Sequence, residues 1–161
     1  MEGILLKIEY QHIFGLPRKI VWKYIKDEKV LRNAIPSCQS FVQSSPGLYQ
    51  VEMEITIGPL KDVFTIEVKL EKEKSPSYYH INLKGKGNLG EVSGKADLFL
   101  SDHQGSTQLN IQAEVNVTGT LSGAAERILN GGANKGIEKF FQSLEKEMKK
   151  NLYLLRKGRK V

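Results

Sequence analysis

A single cysteine, Cys38, leaves this chain without a partner for an intrachain disulfide and without the thiolates of a multi-cysteine zinc site. That economy suits a reducing cytoplasm, where the protein is expected to reside. Eighteen consecutive apolar residues occur nowhere, so no transmembrane helix is expected. Glu2 and Lys7 bracket only Gly3-Ile4-Leu5-Leu6, too short for the apolar stretch of a secretory signal. Histidine is scarce as well. His12, His80 and His103 fall on separate segments with no helix-spaced partner, so each is read as a surface histidine, and no metal or cofactor is expected.

A surplus of acid is also absent. Against 18 acidic residues stand 24 basic ones, for a net charge of +6. Six of the basic residues, Lys149, Lys150, Arg156, Lys157, Arg159 and Lys160, lie in the last thirteen positions, where no acid occurs. The rest of the chain is therefore balanced, 18 against 18. A nucleic-acid reader spreads its basic residues over a face or groove, so nucleic acid is not an expected partner.

What is present is a globular composition, 40% hydrophobic and 26% charged in 161 residues, enough for one domain with a sizeable core. Ile4, Leu6, Ile8 and Tyr10 alternate with Lys7, Glu9 and Gln11, as in a half-buried strand. Leu16-Pro17 opens a short helix through Ile20, Val21, Tyr24 and Ile25, and Asp27 caps a second one that Pro36 stops. From Phe41 to Thr120 the period is two. Turns at Gly58-Pro59, Ser75-Pro76-Ser77 and Asp102-His103-Gln104-Gly105 separate about six strands of an antiparallel meander. Helical spacing returns after Ser122, read as an N-cap, and Ala125, Ile128, Leu129, Ala133, Ile137, Phe140, Phe141, Leu144 and Met148 predict one helix of about thirty residues. Gly131, Gly132 and Gly136 inside it, each costing about 0.5–1 kcal/mol against alanine, point to a kink or a close approach. A sheet apolar on one face needs a cover, and only this helix is large enough. The fold class is α+β, a curved antiparallel sheet wrapped around the C-terminal helix, with two short helices after strand one.

Motifs for chemistry are weak. Gly85-Lys86-Gly87-Asn88-Leu89-Gly90 spells a dinucleotide fingerprint, but a strand follows it where the fingerprint needs a helix, so a glycine-rich hairpin is expected. Cys38 lacks a nearby base and reads as a small buried hydrophobe at a helix–sheet junction. Glu52, Glu54, Glu67 and Glu114 share the polar phase of their strands and are expected to be solvated.

The inward phase of the strands holds Met53, Ile55, Phe64, Ile66, Ile81, Ala96, Leu98, Ile111 and Ala113. Two readings stay open: a packed core, or a cavity for an apolar ligand. The small Gly94, Ala96 and Ala113 on a concave face, beneath a lid containing glycine, allow the second. Ile137 and Phe141 would then complete the ligand-binding walls, with Gly131 and Gly132 letting the lid bend.

Ile35-Pro36-Ser37-Cys38, Ile57-Gly58-Pro59-Leu60, Gly85-Lys86-Gly87 with Gly94-Lys95-Ala96, and Leu129-Asn130-Gly131-Gly132-Ala133-Asn134-Lys135 stand in the order found in one known family. The chain resembles the carbon monoxide dehydrogenase CoxG family, of the START-like, Bet v 1-like (SRPBCC) helix-grip superfamily, from about residue 1 to about residue 145. The resemblance implies a helix-grip domain over residues 1–148 and a basic tail over 149–161. It further implies a hydrophobic cavity for a lipid or quinone-like molecule, no catalytic residues, and service to a molybdenum-containing carbon monoxide dehydrogenase-type hydroxylase as an accessory or membrane-recruitment factor. Membrane-anchored members carry a long linker and a hydrophobic C-terminal segment. Here Met148 is followed instead by Leu152-Tyr153-Leu154-Leu155 among the six basic residues, which reads either as a peripheral anchor on the inner face of an anionic membrane or as a soluble helix end. Three functions are compatible with these residues. The first is a non-enzymatic carrier of an apolar molecule. The second is an enzyme of cyclase or hydrolase type, which needs a polar pair in the cavity, Tyr79 or His80 with a carboxylate. The third is an interaction subunit with a filled core.

Overall fold

The computed structural model of the chain describes residues 3–35, 37–57, 59–124 and 133–159. β1 (Ile4–Phe14) leads into α1 (Arg18–Ile25) and α2 (Glu28–Ala34). There follow β2 (Cys38–Ser45), β3 (Leu48–Ile57), β4 (Leu60–Lys74), β5 (Tyr78–Gly87), β6 (Gly90–His103) and β7 (Ser106–Val117). Residues 120–124 are helical, and the long helix α3 spans Ala133–Arg159.

The seven strands form one antiparallel sheet in the order β1-β7-β6-β5-β4-β3-β2. Strands joined by tight turns pair with their neighbours in sequence, and β1 returns to pair with β7. Cross-strand partners share a face, which makes the register a map of the interior. One row across the inner face runs Ile8, Ala113, Ala96, Ile81, Leu70, and the next runs Leu6, Val115, Gly94, Leu83, Val68, Tyr49. The expected inward phase is therefore the observed one. Glu52, Glu67 and Glu114 are exposed on the other face, and Glu54 is half-buried there.

The helices are set by local chemistry. Asp27 caps α2 as expected, its carboxylate accepting from the Val30 amide at 3.0 Å. Pro17 takes the N-cap position of α1, its carbonyl accepting from Ile20 and Val21. Ser122 is not an N-cap. It lies within the helical residues 120–124, and its hydroxyl donates to the Gly119 carbonyl at 2.7 Å. Ala125, Ile128, Leu129, Gly131 and Gly132 lie outside the described residues, while Gly136 is inside α3. Along α3, Ile137, Phe141, Leu144, Met148 and Leu152 recur at three- and four-residue spacing and form the face that meets the sheet and the short helices. No helical boundary falls between Met148 and Lys149, because α3 continues unbroken to Arg159.

The glycine-rich segment is the expected hairpin. Gly87 ends β5, Gly90 starts β6, and Gly90 has φ +145°, where a side chain is strained.

Candidate functional site

The described residues of the inner face do not fall into one core. Among them are three separate clusters of buried side chains. The largest gathers Phe14, Trp22, Val30, Leu98, Leu109, Phe141, Leu144 and Met148 under α1, α2 and α3. A second joins Phe41, Tyr49 and Val51, and a third joins Phe64, Val117 and Leu121. Between them runs a strip of half-buried residues, Ile8, Leu83, Gly94 and Ala113, that belong to no cluster. A small domain ordinarily packs one contiguous core. Here a strip of the inner face stays outside the clusters, and at Gly94 the close approach of the neighbouring strand keeps the position small. A Cβ added to Gly94 would stand 2.7 Å from the Glu114 carbonyl oxygen and 3.1 Å from the Val115 side chain.

The residues expected to line a cavity divide into two groups. Phe64, Leu98 and Phe141 are buried in the clusters, and Ala96 is buried beside the strip. Met53, Ile55, Ile66, Ile81, Ile111, Ala113 and Ile137 are half-buried on the inner side, all but Ala113 packed against one of the clusters. Ile8 and Leu83 share the inner face with Ala113 and Gly94 and are not among the residues expected to line a cavity. Their alternation with Lys7, Glu9, Asn82 and Lys84 is the signal that finds them.

Two of the three histidines are not surface residues. His12 lies on the inner face between Phe14 and Phe141, with ring centroids 4.6 and 5.7 Å away, and its Nε2 is 3.1 Å from Glu145 Oε1 on α3. Glu145 also pairs with Lys149 at 2.8 Å. Burial pushes its carboxyl up, but hydrogen bonds from Lys149, His12 and the Gly15 amide hold it below the usual carboxylate range. One strand position further in, Tyr10 stacks on Phe141 at 5.5 Å, and its phenol is raised by burial and by Glu138. His80 is half-buried but points outward. With Tyr78 it bonds Asp97, at 2.9 and 2.5 Å, and these two bonds, Tyr78 first, lower the Asp97 carboxyl. The polar pair that an enzyme would need from His80 is thus on the outer face. Tyr79 is inside, packed on Trp22, with its phenol raised by burial.

Cys38 begins β2 at the junction with α2, half-buried against the Phe41 cluster. Burial pushes its thiol up, which makes it a poor nucleophile. On the outer face a cleft of about 400 Å³ is lined by Thr65, Glu67, Lys84, Lys86, Glu91 and Ser93, with Gly85 and Val92 among its further lining residues. Along the last turns of α3, Lys149 and Lys150 are exposed, and Tyr153, Leu154 and Leu155 are 63%, 52% and 41% exposed. The side chains of Arg156, Lys157, Arg159 and Lys160 lie outside the described residues. None of the described helices is long and apolar enough to cross a membrane.

A curved seven-stranded antiparallel sheet closed over one long C-terminal helix, with two short helices after the first strand, is the helix-grip fold. Solved structures of that shape agree. A conserved protein from Geobacillus kaustophilus superposes with TM-score 0.82 at 24% identity, covering 90% of this chain and 96% of its own. The Zhui aromatase/cyclase from Streptomyces sp. R1128 gives TM-score 0.65 at 10% identity, over 92% and 96% of the two chains. Ara h 8.0201 gives 0.57 at 14% identity, over 90% and 98%. Residues 14–149 match the model of the carbon monoxide dehydrogenase CoxG family, and the chain belongs to that family. No curated protein matches it.

Proposed function

We propose that this protein binds an apolar small molecule, a lipid or a quinone-like compound, in the trough between the inner face of the sheet and α3, and does no chemistry on it. The observation that carries the reading is the strip of Ile8, Leu83, Gly94 and Ala113, left half-buried among three separate clusters. Apolar surface in that position is stabilised by an apolar ligand at about 25 cal/mol per Å² covered. Membership of the CoxG family supports a role beside a carbon monoxide dehydrogenase-type molybdenum hydroxylase. The exposed Tyr153, Leu154 and Leu155 beside Lys149 and Lys150 support contact with an anionic membrane face.

A catalytic reading draws on one observation, the His12–Glu145 pair at the edge of the inner face, and on the aromatase/cyclase among the structural neighbours. Ala113→Trp separates binding from folding. The indole would lie in the trough, and affinity for an apolar probe such as a fluorescent fatty acid falls at least about tenfold while the unfolding midpoint holds. Unchanged binding would remove the trough as the site. Native mass spectrometry of protein purified from its own host, followed by organic extraction, identifies the cargo. His12→Ala should leave that cargo chemically unaltered if the protein is a carrier.

A further inference from the structure

The two edges of the sheet meet solvent differently. β2 is short, breaks register between Cys38 and Ser40 and again between Gln43 and Ser45, and lies against α2. The Gln43 amide is taken by the Glu28 carboxylate at 3.1 Å. Such devices keep an edge from pairing with another chain. β1 has none of them. Its eleven residues keep an unbroken register with β7, and Leu5 and Ile13 are 52% and 51% exposed on the outer face. Among the described residues, the backbone from Leu5 to Gln11 has no partner on the side away from β7. Charge is the remaining way for an edge to repel a copy of itself, and on β1 the two charged side chains are of opposite sign and two residues apart.

We infer that β1 is a homodimerisation edge, pairing antiparallel with β1 of a second copy about a two-fold axis at Ile8. That register sets Lys7 beside Glu9 of the copy, twice, with Leu5 opposite Gln11 and Leu6 opposite Tyr10. An axis at Lys7 would set lysine against lysine, and one at Glu9 would set glutamate against glutamate. An axis between residues would bring inner-face side chains opposite outer-face ones. The favoured register also extends a pattern already present. On the outer face Lys7 lies opposite Glu114, and Glu114 opposite Lys95, so Glu9 of the copy continues the alternation of sign. The pairing runs over Leu5–Gln11, and the His12 side chain beyond it is held by Glu145 on α3. The joined sheets would place the two troughs side by side, because Ile8 of each copy meets at the axis.

Sedimentation velocity of the full chain tests this with a charge swap. The wild type is expected to be dimeric in the micromolar range. Lys7→Glu and Glu9→Lys each weaken the dimer at least about tenfold, with circular dichroism and unfolding unchanged, and the double variant returns to within about threefold of wild type. A monomer at about 0.1 mM, a dimer indifferent to either single change, or a double variant that fails to recover would each overturn the inference. A dimer broken by Val42→Lys on β2 instead would move the interface to the opposite edge.

Discussion

The two ends of the inner face share a strand pattern and differ in everything above it. Toward β1's C-terminal end, Phe14 and Leu109 are fully buried beneath Leu144 and Met148 of α3 and Val21 and Val30 of the short helices. Elsewhere on the inner face, Ile8, Ala113 and Leu83 remain half-buried. Alternation decides which face a residue takes. The volume of the side chains that converge on a place decides whether that place is filled. The packed end stabilises the fold, and the strip beside it carries small residues at 94, 96 and 113.

The sharpest break of that contrast is a change of volume at each end. Leu144→Ala leaves a cavity in the packed cluster and should cost about 2–5 kcal/mol in urea unfolding. An enlarging change in the strip, Ala113→Leu, should cost less than about 1 kcal/mol, since it grows into free space rather than into a filled core. If it costs the roughly 1–3 kcal/mol typical of overpacking, the strip is filled and the carrier reading loses its main support.

A smaller effect is expected where the packed end is tied to the chain entering α1. Thr107, buried on β7, donates to the Leu16 carbonyl at 2.7 Å. Thr107→Val keeps the shape and removes the donor, leaving a buried carbonyl unpaired at a cost of about 1–3 kcal/mol. Chemical denaturation reads the loss directly, and ligand affinity should not change. A parallel loss of binding would mean that the two ends are coupled.

Much of this architecture is legible in the sequence, and for identifiable reasons. Period-two runs such as Phe64-Thr65-Ile66-Glu67-Val68 state both the strand and its inner face, and Asp27 before Val30 states a cap. The helical recurrence from Ile137 to Met148 states the face that α3 buries. What stays hidden is decided by the third dimension. Phe64 and Ile66 look alike in sequence, yet Phe64 meets Val117 and Leu121 and is sealed, while Ile66 lies between two clusters and is not. His12 near the end of β1 and His80 near the start of β5 have partners, Glu145 and Asp97, that are 133 and 17 residues away. No local spacing reports such pairs.

The His12–Glu145–Lys149 group gives a small predicted effect and the most specific pH signature. Although burial raises the Glu145 carboxyl, the bonds from Lys149, His12 and Gly15 bring it below its ordinary value in the folded state. A carboxylate with a depressed folded pKa stabilises the protein above its unfolded pKa, about 4.3, and that contribution disappears as pH falls through the folded value. Glu145→Gln should therefore lower stability by about 1 kcal/mol at neutral pH. The difference from wild type should shrink as pH falls from the unfolded value of about 4.3 through the lower folded value. Urea titrations across that window measure it. Because the group joins β1 to α3 at the margin of the inner face, the same variant should loosen α3 over the trough before it unfolds the packed end. Hydrogen exchange should then show faster amide exchange in α3 and unchanged protection at Leu109 and Leu100. Equal acceleration at both places would mean that the inner face opens as one unit, and the contrast between its two ends would be static only.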